Sequence, residues 1–226
     1  MNIPSFTTKL AYSSILVMAI GAVGVRFAGL PYQSGLLLFS LGGLLSLTSI
    51  IASALFTRRT PTDEGRRRLS RAAIIALPAI ILFSLNLFRG ASSPLIHDIT
   101  TNIENPPQFM KAAELRKSDD NSLIYDENIG GLQSAAYPDI QTLSSSISVA
   151  SAQQKALQIA SNLNWVVYYQ ETGHIEALVR SFWFGFTDDL VIRIEASAQG
   201  SNIDLRSASR VGKGDLGANA HRIAQF

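Results

Sequence analysis

The sequence predicts an α+β protein in which three transmembrane helices precede a soluble domain built on an antiparallel sheet. Three apolar stretches in the first 90 residues predict the helices, because a helix of about 20 apolar residues crosses a bilayer core. Four short segments near the end of the chain alternate apolar and polar residues, as half-buried strands do. The predicted domains are therefore a membrane anchor over residues 1–90 and an extracytoplasmic α+β domain over residues 91–226.

The first predicted span covers about residues 10–30, and Arg26 interrupts its apolar run. A cleaved signal peptide is an alternative interpretation, since Lys9 precedes an apolar core of suitable length. We favour an uncleaved span, because Arg26 disrupts any small-residue cleavage site and a second apolar stretch follows closely.

The second and third predicted spans cover residues 34–56 and about 70–88. Small residues recur along one face of the second helix. They are Gly35, Gly42, Ser46, Ser49 and Ser53. Because small residues let helix backbones approach closely in lipid, this face should pack on the first or third span.

Six arginines lie between the apolar stretch that ends at Phe56 and the one that begins at Ala72, and they predict the topology. They are Arg58, Arg59, Arg66, Arg67, Arg68 and Arg71. By the positive-inside rule this segment stays in the cytoplasm. Counting spans then puts the N-terminus in the cytoplasm and the C-terminal domain on the outer side. The predicted location is the bacterial inner membrane, with the C-terminal domain in the periplasm. The same arginines could contact anionic membrane lipids, although topology alone explains them.

Charge is divided between the two parts of the chain. Residues 1–90 hold nine Lys and Arg against two acidic residues, whereas residues 91–226 hold ten against fifteen. The folded domain is therefore acidic, which argues against nucleic-acid binding. The chain has no Cys, which excludes disulfides and thiol catalysis.

The first part of the domain, residues 91–146, is predicted as extended chain and loops, because it is rich in Pro and shows little periodicity. A long helix should run from Val149 to Leu163 across the sheet, with Ser148 as its N-cap. Four antiparallel strands should follow, joined by turns of hairpin length. They are Trp165–Glu171, His174–Ser181, Leu190–Ala198 and Ile203–Ser209.

A short C-terminal helix, Leu216–Gln225, should follow the sheet with Asp215 as its cap. The aromatic corner Phe182–Phe186 joins the second and third predicted strands. It is either a plug in a core or a patch at the membrane interface, where Trp is favoured.

Several separate motifs of the domain resemble one known family, in the family's order. They are Pro94–Thr101, Asn105–Phe109, Ala136–Ile140, Arg180 with Trp183–Asp189, and Asp204–Gly212 with Asp215–Ile223. The resemblance is to the family catalogued as domain of unknown function 1499, in its form with N-terminal transmembrane helices, and covers about residues 94–226. Departures are slight, for instance Asn102 and Ile103. The family comes with no assigned activity, so the resemblance gives no catalytic residues to carry over to this chain.

The charged residues of the last two predicted strands are the main candidates for a site. Arg193, Asp204 and Arg206 should share one sheet face and form cross-strand ion pairs. One interpretation is a salt-bridge network beneath the preceding loop. The other is a binding site for an anion or partner. The candidates for that site are Arg210, Lys213, Arg206 and Arg193.

Arg210 is the expected functional arginine of this set, because it lies at a strand end beside the glycine turn and a helix N-terminus. A second candidate set is a cluster of polar residues. Its members are His97, Asp98, Asp204 and Asp215.

Cofactor, metal and nucleophile motifs are weak in this chain. The segment Gly212–Gly217 fits G-x-G-x-x-G, but too little chain follows for a dinucleotide fold, so neither a dinucleotide nor another cofactor is expected. The three histidines lack zinc-site spacing, and no metal site is predicted. A triad of Ser207 or Ser209 with His221 and an acidic residue is conceivable, but no nucleophile elbow supports it.

Two functional classes remain open. The first is a non-catalytic accessory or binding subunit of the cell envelope, which presents its outer domain to a membrane protein complex, a lipid headgroup or an anionic ligand. The alternative is an envelope hydrolase with a site near His97, Asp98 and the face of Arg206 and Arg210. A hydrolase requires a concave pocket in which a histidine and an acidic side chain converge.

Overall fold

A computed structural model describes residues 2–226 of the chain. The chain divides into two compact units. The helical unit extends to Arg89 and includes Phe182–Gly185, and the C-terminal unit comprises Gly90–Ser181 and Phe186–Phe226.

The helical unit contains α1 (Ile3–Phe27), α2 (Tyr32–Thr57) and α3 (Asp63–Ser92). All three helices are long and apolar enough to cross a membrane. They extend beyond the predicted apolar stretches because their polar ends are helical too. The first turn of α3, for example, contains Asp63 and Glu64, which the helix dipole favours there.

The small-residue face of α2 is buried, as the sequence predicts. A Cβ on Gly42 would lie 2.6 Å from the carbonyl oxygen of Ser14, so the backbones of α1 and α2 are in near contact. The Ser46 hydroxyl donates to the carbonyl of Ala76 in α3 at 2.7 Å. The face therefore packs on both neighbouring helices.

The aromatic segment Phe182–Gly185 packs with the helices, and its members differ in burial. The Phe184 ring meets Phe39 edge-on at 5.6 Å between centroids, while Phe182 and Trp183 are exposed. The carbonyl of Phe182 accepts a hydrogen bond from Arg26. One aromatic residue thus plugs a core, and two lie on the surface.

The C-terminal unit is built on an antiparallel sheet with helices, but the sheet has six strands rather than the predicted four. The order is β1-β6-β5-β4-β3, and β2 also pairs with β6. The strands are β1 (Asp98–Thr100), β2 (Leu143–Ser145), β3 (Val166–Glu171), β4 (His174–Arg180), β5 (Thr187–Ser197) and β6 (Gly200–Ser209).

The two additional strands lie in residues 91–146, which the sequence predicts as extended chain and loops. Both β1 and β2 have three residues, too few for an alternating pattern to stand out. The same region contains the short helices α4 (Ala112–Leu115) and α5 (Ile129–Ala136). Gly130 and Gly131 lie inside α5, and glycine disfavours a helix in a sequence-based prediction.

The long helix α6 (Val149–Asn162) covers one face of the sheet, and the Ser148 side chain caps it by accepting from the Ser151 N–H. Its buried alanines pack in one core with apolar residues of β5 and β6. These are Ile192, Ile194, Ile203 and Leu205. The last helix, α7 (Ala218–Gln225), begins two residues later than predicted, because Leu216 and Gly217 have left-handed backbones with φ of 56° and 79°.

Candidate functional site

The sheet face opposite α6 carries the charged residues that the sequence singles out. Arg193 of β5 is in register with Asp204 of β6, and Val191 with Arg206. On the outer strands, Asp98 is in register with Ala208 and Glu176 with Val191. We call this surface the polar face. Its charged members are Asp98, Glu176, Asp189, Arg193, Glu195, Asp204 and Arg206.

Residues 101–124 lie over the polar face, and we call them the covering segment. Backbone carbonyls of this segment accept hydrogen bonds from arginines of the sheet. Arg193 donates to the carbonyl of Asn105 at 2.9 Å, and Arg206 donates to the carbonyls of Pro107 at 3.2 Å and Leu123 at 2.7 Å. The polar face is therefore joined to the chain above it.

Arg206 is fully buried and has the most complete set of partners. Its Nε and Nη2 donate to the two oxygens of Asp98 at 3.0 and 2.7 Å. The rings of Phe109 and Tyr125 lie 5.1 and 5.4 Å from its guanidinium carbon. Burial, followed by the charge of Asp98, raises the pKa of the Tyr125 hydroxyl to about 12. Arg206 and Asp98 thus form an enclosed ion pair.

Arg193 and Asp204 form a second, partly exposed pair at 2.7 Å. The Asp204 carboxylate also accepts from the hydroxyls of Thr101 and Thr142. Burial by itself would raise the pKa of Asp204, but these hydroxyls and Arg193 outweigh it and hold the pKa below its ordinary value. Arg193 additionally lies 3.5 Å from Glu195. Cross-strand ion pairing is therefore present, as the alternation predicts.

Arg210 is paired with Asp189, a carboxylate that the sequence pattern does not mark as a site residue. Its Nη2 and Nε donate to the two oxygens of Asp189 at 2.8 and 3.1 Å, and its Nη1 donates to the carbonyl of Leu115 at 2.8 Å. Arg116 of the covering segment donates to the same carboxylate at 2.7 Å. Desolvation lowers the pKa of Arg210, but Asp189 more than compensates and raises it.

Glu176 is the other residue of the polar face that sequence reasoning missed. Its buried carboxylate accepts from the N–H groups of Met110, Lys111 and Ala112, and from the Tyr168 hydroxyl at 2.8 Å. His174 Nε2 lies 2.9 Å from the same carboxylate. Burial raises the pKa of Glu176, but these hydrogen bonds together lower it to about 2. A lone Glu between Ile175 and Ala177 in an apolar strand is the signal that could have revealed it.

The remaining candidates do not form one cluster. Asp215 accepts hydrogen bonds from the N–H groups of Gly217 and Asn219, so its carboxylate caps the start of α7. Burial raises the pKa of this carboxyl group. The His97 carbonyl accepts from the N–H of Ser209 and the side chain of Asn219. Lys213 is exposed in the glycine turn. The predicted group of His97, Asp98, Asp204 and Asp215 is thus divided among separate partners.

The conceivable serine triad is not assembled. Ser207 is fully buried, donates to the side chain of Asn219 at 2.7 Å and accepts from Arg222 at 2.7 Å. Strand alternation places Ser207 on the sheet face opposite Asp204. Within residues 2–226, no group of three or more His, Asp or Glu side chains is placed to hold a metal ion.

A comparison with family models finds one that matches residues 98–226, described as Protein of unknown function (DUF1499). Neither the curated proteins nor the solved structures contain a match to the chain. The matched residues cover the whole sheet and agree with the resemblance seen in the sequence motifs. The chain therefore belongs to the family of unknown function DUF1499.

Proposed function

We propose that this protein is a membrane-anchored protein of the cell envelope whose C-terminal domain acts as a non-catalytic accessory or binding subunit. The proposal rests on the pairing of the charged side chains of the polar face. Its charged side chains bind one another and the covering segment, so the groups best suited to chemistry are used to hold the domain together. A domain built in this way presents a surface to a partner and keeps its reactive groups enclosed.

The hydrolase alternative needs a pocket in which a histidine and a free carboxylate converge. The carboxylate of Asp98, its best candidate, is bound to Arg206. Because this carboxylate is already paired with an arginine, we favour the accessory role.

The proposed location is the inner membrane of a bacterium, with the C-terminal domain in the periplasm. Three helices of sufficient length support membrane anchoring. Arg58 at the end of α2 and the arginines at the start of α3 support a cytoplasmic connection between these helices. The proposed contacts are membrane lipids and a larger membrane protein complex.

Exposed apolar side chains on the covering segment are the proposed contact with such a complex. Ile124 is 86% exposed and Met110 is 52% exposed. The segment is fixed from beneath by Arg206 and Glu176, so these side chains are presented on an ordered backbone. Ordered apolar residues bind a partner at low entropic cost.

The test is purification of the chain from its native membranes in a mild detergent. We expect a heteromeric complex that is lost in the Ile124→Ser, Met110→Ser double variant and kept in Leu143→Ser, a matched change at an exposed leucine of β2. A chain that elutes without a partner and hydrolyses ester substrates, with activity abolished by His97→Ala, would instead support the hydrolase.

A further inference from the structure

The loop between β6 and α7 packs along the end of α3 and the residues that come after it, as far as Ile96. The Asp215 N–H donates to the carbonyl of Ile96 at 3.2 Å. A Cβ on Gly214 would meet the Leu95 side chain at 3.0 Å, and a Cβ on Gly90 would meet the Leu216 side chain at 3.3 Å. Leu216 is therefore held beside Gly90 in the last turn of α3, and Leu95 lies against the same loop at Gly214.

Leu216 has an unfavourable backbone for its residue type. Its φ is 56°, in the left-handed region where glycine and asparagine are tolerated and a leucine is strained. Burial does not compensate for this strain, because Leu216 is 46% exposed and the nearby Leu95 is 74% exposed. A single exposed leucine is ordinary in a folded protein. An exposed leucine with a strained backbone, close to a second exposed leucine, instead suggests a functional role.

We propose that Leu216 and Leu95 insert into the lipid at the outer surface of the membrane that α3 crosses. The apolar part of α3 ends at Phe88, and Gly90 is two residues further, a rise of about 3 Å. A side chain in contact with Gly90 therefore lies where headgroups meet acyl chains. Covalent continuity fixes this depth, which favours lipid over a protein partner. The inference rests on the membrane anchoring in the proposed function.

The experiment uses the full chain, which has no native Cys and so needs no background substitutions. Leu216→Cys and Leu95→Cys are spin-labelled and reconstituted in vesicles of phosphatidylethanolamine and phosphatidylglycerol. Collision with oxygen, which partitions into lipid, is compared with collision with a water-soluble nickel chelate. Leu85→Cys, on an exposed position of α3, reports insertion of the helix. Gln199→Cys, in the turn at the opposite end of β6, reports water.

We expect the labels at 216 and 95 to behave like the label at 85, with several-fold fewer nickel collisions than the label at 199. If the labels at 216 and 95 behave like the label at 199 while the label at 85 is in lipid, the insertion of Leu216 and Leu95 is overturned. The membrane anchoring of the helices is then unaffected. A label at 85 that is in water overturns the anchor itself. Labels at 216 and 95 that are shielded from both reagents indicate a protein contact and also overturn the inference.

A second variant separates lipid insertion from a structural role of Leu216. Asparagine tolerates the left-handed conformation, so Leu216→Asn should leave the melting temperature of the domain unchanged or raised. The same change should increase nickel collisions of a label at Leu95→Cys several-fold. A lowered melting temperature with no change at the Leu95→Cys label would show that Leu216 is a packing residue and overturn the inference.

Discussion

Arg206 is a charged side chain with no exposed surface, and its bonds join the polar face to the chain around it. Its pair with Asp98 fixes β1 to β6, and its bonds to Pro107 and Leu123 fix the covering segment to the sheet. Burying two charges is costly, and the additional hydrogen bonds and the two aromatic rings offset part of that cost.

Replacement of Arg206 by Ala should destabilise the domain by about 3–5 kcal/mol, because it leaves Asp98 buried without its partner. The matched change Arg210→Ala should cost clearly less, since Arg116 still neutralises Asp189. Unfolding in denaturant can be followed by the fluorescence of Trp165, which stacks on Phe226 in the core, in a Trp183→Phe background. Equal losses of unfolding free energy in the two variants would contradict this difference between Arg206 and Arg210.

Glu176 predicts a pH dependence of stability. Its folded pKa of about 2 is below its ordinary value of 4.5, so ionised Glu176 stabilises the domain above about pH 4.5. This contribution, about 3 kcal/mol at 1.36 kcal/mol per unit, is lost as the pH falls from 4.5 toward 2, with about 2 kcal/mol gone by pH 3.

The measurement for Glu176 is the free energy of unfolding of the wild type and of Glu176→Gln between pH 7 and pH 3. The wild type should be the more stable at pH 7, and the difference should shrink by about 2 kcal/mol at pH 3. A difference that stays constant across this range would show that Glu176 does not titrate in this way.

At the scale of elements, the sheet and α6 are joined by the apolar side chains of the face opposite the polar one. Ile194 is 3% exposed and packs in the same core as the alanines of α6. Ile194→Ala should cost about 2–5 kcal/mol of domain stability, because it removes buried methyl groups and leaves a cavity. Val166→Ala, at a 61% exposed position of β3, is the control and should cost little. A comparable loss in both would contradict the assigned strand faces.

The contact between α1 and α2 depends on the absence of a side chain at Gly42. A Cβ there would lie 2.6 Å from the Ser14 carbonyl oxygen and 2.9 Å from the Met18 Cβ. Gly42→Ala should therefore force the helices apart and weaken their packing by about 1–3 kcal/mol. Resistance of the helical signal to dodecyl sulfate measures this effect, with Leu44→Ala, at a 53% exposed position, as the control. Identical resistance in the two variants would argue against close packing at Gly42.

For the whole molecule, Arg58, Arg59 and the arginines in the first turns of α3 predict which side of the membrane each part occupies. Protease added to intact spheroplasts should cut between Ala91 and Phe226 and spare the segment from Thr57 to Arg71. Opening the membrane should then expose this arginine segment. Protection of the C-terminal domain in intact spheroplasts would reverse the orientation.

Much of this molecule is readable from local sequence pattern. The apolar runs predict α1–α3, and the small residues of α2 predict its buried face, since a helix period fixes which residues share a side. Alternation in β5 and β6 predicts that Ile194 is buried and that Arg193 and Asp204 face each other. These features depend on residues near one another in the chain, and the family motifs lie in the same elements.

Other features required the tertiary structure, because they join residues that are distant in sequence. The partner of Arg206 is Asp98, 108 positions earlier, and Glu176 meets backbone N–H groups 64 to 66 positions away. The strands β1 and β2 are too short to show a pattern and exist because β6 offers them hydrogen bonds. The sequence by itself determined that Arg193, Asp204 and Arg206 share one sheet face. Only the folding of residues 101–124 over that face decided that Arg206 and its partner Asp98 are enclosed, because ion pairing depends on distance in space and not on position in the chain.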